Sequence, residues 1–395
     1  MDSSIRIIIV LIFILLSVGC KDKKTNIHEG LQLKDGGKII RLNPEKGRTI
    51  KLSEIVDEIQ IVFLESSEDA VLSNIDKIEM DNDLFFILNA HDKLVYVFDA
   101  DGNFKNKIGS IGQGPGDVLY PACFAINRQE KEIWLTSNFQ FICKYDYNGS
   151  FLNREPLRKP LNLFFRDFYI DDNKDIYFHT SKFINYAPNN DFLCWNFWIM
   201  TPDQEFKTYF PYSSEVYPNG GSYFETFTPF GKSGDNIRYH YAFNDTVFIV
   251  DKYIVRPLYI IDFGEKKCPV DLSSISGDNA SEYIFNSNYA TFLNNVVETD
   301  NSIMFKYVIT RQKYNVFYNK NSNNMVEGIL ENDILGAEIM ILNSFNNKFT
   351  GYINANDISI KELASKYINA NVLDKLKALN EADNPILIEI KLKDF

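Results

Sequence analysis

Several groups of residues in the 395-residue sequence have types and spacings that can do chemistry. Asp171, Asn173 and Asp175 alternate oxygen-bearing side chains as at the start of a calcium loop. Ile176 stands where such a loop needs glycine, and Lys182 where it needs glutamate, so a hairpin turn is the expected role. His179 and His240 are candidate metal ligands if a common cavity gathers them, because zinc chemistry needs clustered imidazoles. Their other reading is as strand histidines with satisfied hydrogen bonds. No cofactor is expected from these residues, with calcium or zinc as the ions a central cavity would take. Neither a Ser-His-Asp order nor a nucleophile elbow can be recognised, so no catalytic residue is assigned.

Gly109–Gly116 holds four glycines around Gln113 and Pro115. A phosphate cradle would end in Gly-Lys-Ser/Thr, and Pro115 removes a backbone donor where a cradle needs one. These glycines are expected to let the chain turn between elements. A different signal lies in residues 209–230, where Tyr212, Tyr217, Tyr223, Phe224 and Phe227 sit among prolines and glycines. A long loop this aromatic is either a ligand-binding surface, stacking on sugars or holding peptide side chains, or a cover over a groove.

The elements that must position these residues are short strands. Leu84–Leu88, Leu94–Asp99 and Asp101–Phe104 are echoed by Ile133–Thr136, Phe141–Asp146 and Asn148–Phe151. Asp99 and Asp146, Gly102 and Gly149, and Phe104 and Phe151 are each 47 residues apart. A repeat of that length, built of apolar strands and Asx-Gly turns, predicts β-propeller blades. Further blades are read at 164–210, 239–263 and 294–318. A closing blade is expected to join Ile55–Leu64 to Ile386–Leu392, with Phe349–Asn354 between them, because a propeller must join its ends to remove sheet edges. Helical spacing of Ile360, Leu363, Ala364, Tyr367, Leu373 and Leu376 predicts one or two short amphipathic helices before that last strand. The fold class is therefore all-β, a six-bladed propeller over 31–395.

Residues 1–19 read as a signal peptide, with Arg6 before the ten-residue apolar run Ile7–Leu16, too short to span a membrane. Ser17-Val18-Gly19-Cys20 resembles a bacterial lipobox, which implies lipid attachment at Cys20 and a membrane as first partner. Residues 20–30 then read as a polar tether. A net charge of −12 argues against nucleic acid, whose binding needs clustered Lys and Arg. Cys123, Cys143, Cys194 and Cys268 form no C-x-x-C and read as buried free thiols, with one disulfide the alternative in an exported chain.

Gly112–Gly116 with Pro121, Trp134-Leu135 and Asn148–Phe151 resembles the NHL-type propeller repeat. With Arg256–Tyr259, Ile261–Gly264, Gly351–Ile353 and Asn384–Leu387, the chain resembles the six-bladed β-propeller lipoproteins of Bacteroidetes, a family of unknown function. The resemblance implies the fold and an outer-membrane lipoprotein, facing the periplasm or the surface, and carries over no catalytic residues. The expected function is a binding or scaffolding module for a glycan, a peptide or an envelope protein. The alternative is a metal-assisted hydrolase or lyase working in the central channel.

Overall fold

The computed structural model describes residues 28–29 and 36–395, apart from 45–47, 90, 93, 113, 120–122, 138–140, 158–164, 181–194, 212–225, 227, 273–274 and 276. Three short strands come first: β1 (His28–Glu29), β2 (Lys38–Arg41) and β3 (Thr49–Lys51). After the single turn α1 (Leu52–Ile55) comes β4 (Val56–Phe63). Blade I holds β5 (Lys77–Asp81), β6 (Leu84–Asn89), β7 (Leu94–Asp99) and β8 (Phe104–Ile108). Blade II holds β9 (Phe124–Asn127), β10 (Glu132–Ser137), β11 (Phe141–Asp146) and β12 (Phe151–Pro156). Blade III holds β13 (Phe165–Ile170), β14 (Ile176–Thr180), β15 (Trp195–Met200) and β16 (Phe206–Pro211). Blade IV holds β17 (Phe230–Ser233), β18 (Asn236–Tyr239), β19 (Thr246–Asp251) and β20 (Ile254–Asp262). Helix α2 (Gly277–Asn286) precedes blade V, which holds β21 (Thr291–Glu298), β22 (Ser302–Ile309), β23 (Gln312–Asn319) and β24 (Met325–Glu331). Blade VI takes β25 (Met340–Phe345) and β26 (Lys348–Ile353), and α3 (Ala364–Tyr367) and α4 (Ala370–Ala378) precede β27 (Ile386–Leu392).

The chain is a six-bladed β-propeller, and each of its six core clusters fills the gap between two neighbouring blades. Ile133 and Leu135 of β10 face blade I, whereas Trp134 between them faces blade III. Both faces of a middle strand are therefore buried. This is why the strands read as unbroken apolar runs and not as alternating ones. Aromatic residues fill the wedge between blades III and IV, where Phe197 and Tyr239 stack with centroids 4.3 Å apart.

Closure follows the expected pairing with one difference in order. The sheet runs β25-β26-β27-β4, so β27 lies between β26 and β4, and Phe349–Asn354 is not the middle strand. The short helices fall where their spacing predicts. Helix α2 was not foreseen, and blade IV begins earlier than expected, because Gly231 and Gly234 leave β17 without an apolar pattern. The N-terminal segment also does more than tether. Strands β1, β2 and β3 add in parallel to β16, β20 and β24, covering the outer edges of blades III, IV and V. The added strands become the outer edges, and with only two to four residues each they present little unpaired backbone to a neighbouring molecule.

The repeated turn has a local cause and a tertiary one. Asp99 accepts from the amides of Asp101 and Asn103, and Asp146 from those of Asn148 and Ser150. Gly102 at φ +87° and Gly149 at φ +84° each press against the outer strand of the preceding blade. A Cβ on Gly102 would lie 2.1 Å from the Phe63 carbonyl oxygen of β4. Gly102→Ala is expected to cost about 2–4 kcal/mol, combining left-handed strain with the displacement of β4. Urea unfolding checks this, and a loss below about 1 kcal/mol would contradict the close approach.

Candidate functional site

The innermost strands line a central channel, and they put charges there by the period of two. In β5, Ile78 points into the core between blades VI and I, and Lys77, Glu79 and Asp81 point to the channel. In β13 the register shifts between Phe165 and Asp167, and both Arg166 and Asp167 face the channel. The resulting cavity has a volume of about 480 Å³ and is lined by all six blades. Its walls carry Lys77, Arg128, Arg166, Lys232 and Arg238 against Asp76, Glu79, Asp81, Asp83, Asp167 and Glu298. The balance is near neutral, so the cavity does not share the strong negative charge of the whole chain.

Five of these charges, Lys77, Glu79, Asp81, Arg128 and Asp167, are held by one another. Lys77 Nζ donates to Asp167 Oδ1 at 2.7 Å and to the Phe124 carbonyl at 3.0 Å, with Glu79 Oε1 at 3.7 Å. Burial alone would depress the Lys77 ammonium, but Asp167 and Glu79 outweigh it and hold the group above its ordinary value. Burial likewise raises Asp167, against the pull of Lys77. Arg128 bridges Glu79 at 3.3 Å and Asp81 at 3.6 Å, and Tyr147 donates to Asp81 Oδ2 at 2.7 Å. Despite burial, those carboxylates hold Arg128 above its usual value.

Arg238 differs. It comes from β18, opposite Gly231 in β17, and is 2% exposed. Nη2 donates to the Phe230 carbonyl at 3.1 Å, whereas Nε and Nη1 have no partner. Glu298, the carboxylate that acts on it electrostatically, is held elsewhere: its Oε1 accepts from Lys320 at 2.9 Å, Ser233 at 3.0 Å and Tyr259 at 3.1 Å. Burial pulls Arg238 down to about 10, with Glu298 opposing, so the guanidinium stays charged at neutral pH.

The residues singled out by sequence fall mostly elsewhere. Asp171 accepts from the amides of Asn173 and Asp175 at 2.9 and 2.8 Å, the same turn as at Asp99 and Asp146. The glycine loop folds around Asp117, which accepts from Ser110 and from the Gly114 amide, and a Cβ on Gly112 would strike that carboxylate. His179 Nδ1 lies 2.9 Å from the Tyr239 hydroxyl, and His240 Nε2 lies 3.0 Å from the Asn244 carbonyl. Neither histidine lines the channel cavity. Among the described residues no group of three or more His, Cys, Asp or Glu is placed to hold a metal. Tyr212, Tyr217, Tyr223, Phe224 and Phe227 lie outside the described residues, as do Cys20 and Cys194. Cys123, Cys143 and Cys268 are free thiols, the first two buried. Sequence reasoning missed the channel charges, although the alternation Lys77-Ile78-Glu79-Met80-Asp81 was their signal. A charged face on a blade's first strand can only look into the channel.

His240 gives a pH prediction. It is fully buried, and burial lowers its imidazole to about 4, so the folded protein keeps it neutral. In the unfolded chain the group titrates near 6.5. Protons therefore bind the unfolded state first, and stability is expected to fall as pH drops from about 6.5 to about 4. The loss from this group should approach 3 kcal/mol. His240→Gln should flatten that interval in pH-dependent urea unfolding, and an unchanged slope would exclude His240 as its source.

Comparison with known proteins adds a family and a fold. Residues 38–391 match the family described as "Domain of unknown function (DUF4934)". A solved structure titled a "putative exported protein" from Bacteroides fragilis superposes with a TM-score of 0.71 at 18% identity, covering 90% of this chain and 99% of that one. A member of the duf4221 family from Bacteroides vulgatus gives a TM-score of 0.50 at 10% identity, covering 85% and 98%. No curated protein matches the chain.

Proposed function

Because this chain belongs to the family of the domain of unknown function DUF4934, whose description assigns no activity, we propose from the channel itself that it is a non-enzymatic binding module of the cell envelope. It would be held to an outer membrane through lipid at Cys20 and would take a small polar ligand, part of a glycan or a peptide, in the channel cavity. The observation that carries this reading is the cavity's wall. It has ligand-sized volume and charged side chains fixed by mutual pairing. Fixed, paired charges suit recognition. Lys77 and Arg128 are held above their ordinary values, so they keep their protons and do not relay them at neutral pH. The similarity to a structure titled as exported agrees with an envelope location.

The test is binding of the labelled protein to glycan and peptide arrays, with Lys232→Trp as a plug for the cavity. Lys232 is an exposed wall residue of β17, so the plug should leave the blades intact. Binding that the plug removes is the expected result. Silence on both arrays, binding that survives the plug, or turnover of a bound compound would overturn the reading.

A further inference from the structure

We propose that Arg238 is the anchor for a ligand carboxylate in the channel, between blades IV and V. The inference rests on the channel being a ligand site, and it names the chemistry that the site selects. A guanidinium has five N–H donors arranged in two forks, one using Nε with one terminal nitrogen and one using both terminal nitrogens. Only one N–H, on Nη2, is spent, on the Phe230 carbonyl. Whichever Nη2 hydrogen is used, one complete fork remains for the two oxygens of a carboxylate. Nε and Nη1 are unpartnered in a residue that is 2% exposed and forms part of the cavity wall. A buried cation left in that state is costly, and an entering anion removes the cost.

Two neighbours sharpen the class. Thr226 Oγ1, on the wall of the same cavity, is also buried without a partner and is a further donor open to a ligand. Glu298 Oε2 is unpartnered as well, and an anion there would be repelled unless it carries a donor beside its charge. The site therefore fits a carboxylate with an adjacent hydroxyl or N–H. A hexuronic acid and the C-terminus of a short peptide both have that arrangement. Gly231 belongs to the design: a Cβ there would lie 2.3 Å from Arg238 Nη2 and push the guanidinium off its seat.

The experiment pairs each carboxylate with its neutral counterpart. Galacturonate is set against galactose, and alanyl-alanine against alanyl-alanine amide, with thermal shift and calorimetry on the purified protein. The expected result is that at least one carboxylate binds and its neutral partner does not, which also tells the sugar source from the peptide source. Arg238→Gln should weaken that carboxylate about 10- to 100-fold, as loss of a charged hydrogen-bond partner does. Gly231→Ala, which keeps the charge but displaces it, should weaken it in the same direction and guards against a folding failure in the first variant. If a neutral probe binds as well as its acid and both variants leave it unchanged, the arginine assignment falls and the channel reading stands. If no probe of either kind binds the wild type, both fall. If Arg238→Gln lowers only thermal stability while carboxylate affinity is kept, Arg238 is a structural partner of Glu298 and the proposal is overturned.

Discussion

Ending the chain at Asn384, ahead of β27, is expected to abolish folding and not merely to shorten one blade. Strand β27 pairs with β26 on one side and β4 on the other, from Ile386↔Phe63 to Leu392↔Val56. Ile386, Leu387, Ile388 and Ile390 are each at most 2% exposed and feed the cores on both sides of blade VI. Four such side chains contribute roughly 6–12 kcal/mol, comparable to the whole stability of an ordinary domain. Without β27 the ring also loses its clasp, and the freed edges of β4 and β26 invite aggregation. Circular dichroism melting and limited proteolysis of the truncated chain check this. A cooperative transition near that of the intact protein would show that the ring closes without its last strand.

The second large effect is expected at Lys77. Lys77→Met leaves the Asp167 carboxylate facing Glu79 without the cation that ties β5 to β13 across the channel. Removing one partner of a buried pair typically costs about 3–5 kcal/mol. The channel's own water should hold the loss here toward the lower figure, since one fifth of the Lys77 side chain faces it. The penalty belongs to the ionised Asp167, so it should be present at neutral pH and shrink as acid protonates that carboxyl. Adding Asp167→Asn removes the orphaned charge and should recover most of the stability. A double-mutant cycle in urea reads the coupling directly. Additive losses would mean that the 2.7 Å contact contributes nothing.

The blade repeat could be read from sequence because the Asp99 and Asp146 turns are built from hydrogen bonds spanning only a few residues. The runs Leu84–Leu88 and Phe141–Tyr145 follow from strands buried on both faces. The closing blade was legible because a ring must leave no edge. Its strand order was not, since an apolar pattern marks a strand as part of the blade without naming its neighbours, and only pairing shows β27 between β26 and β4. The outer strands β2 and β3 escaped notice because short edge strands need little apolar signal, as their burial on one side shows.

The site divides the same way. Sequence by itself determined the all-β class, the number of blades, the Asx-Gly turns after Asp99 and Asp146, the hairpin turn at Asp171 and the glycine loop as a turn between blades. The turns are settled by contacts within a few residues, and the blade count by the repeat together with the need of a ring to leave no edge. Tertiary structure alone decided that Lys77 meets Asp167 from 90 residues away and that Ser233 meets Glu298 from 65 away. It alone left Arg238 buried with an open fork. The reason is geometric: the channel belongs to no blade, and its chemistry exists only where six first strands from distant parts of the chain are brought around one axis.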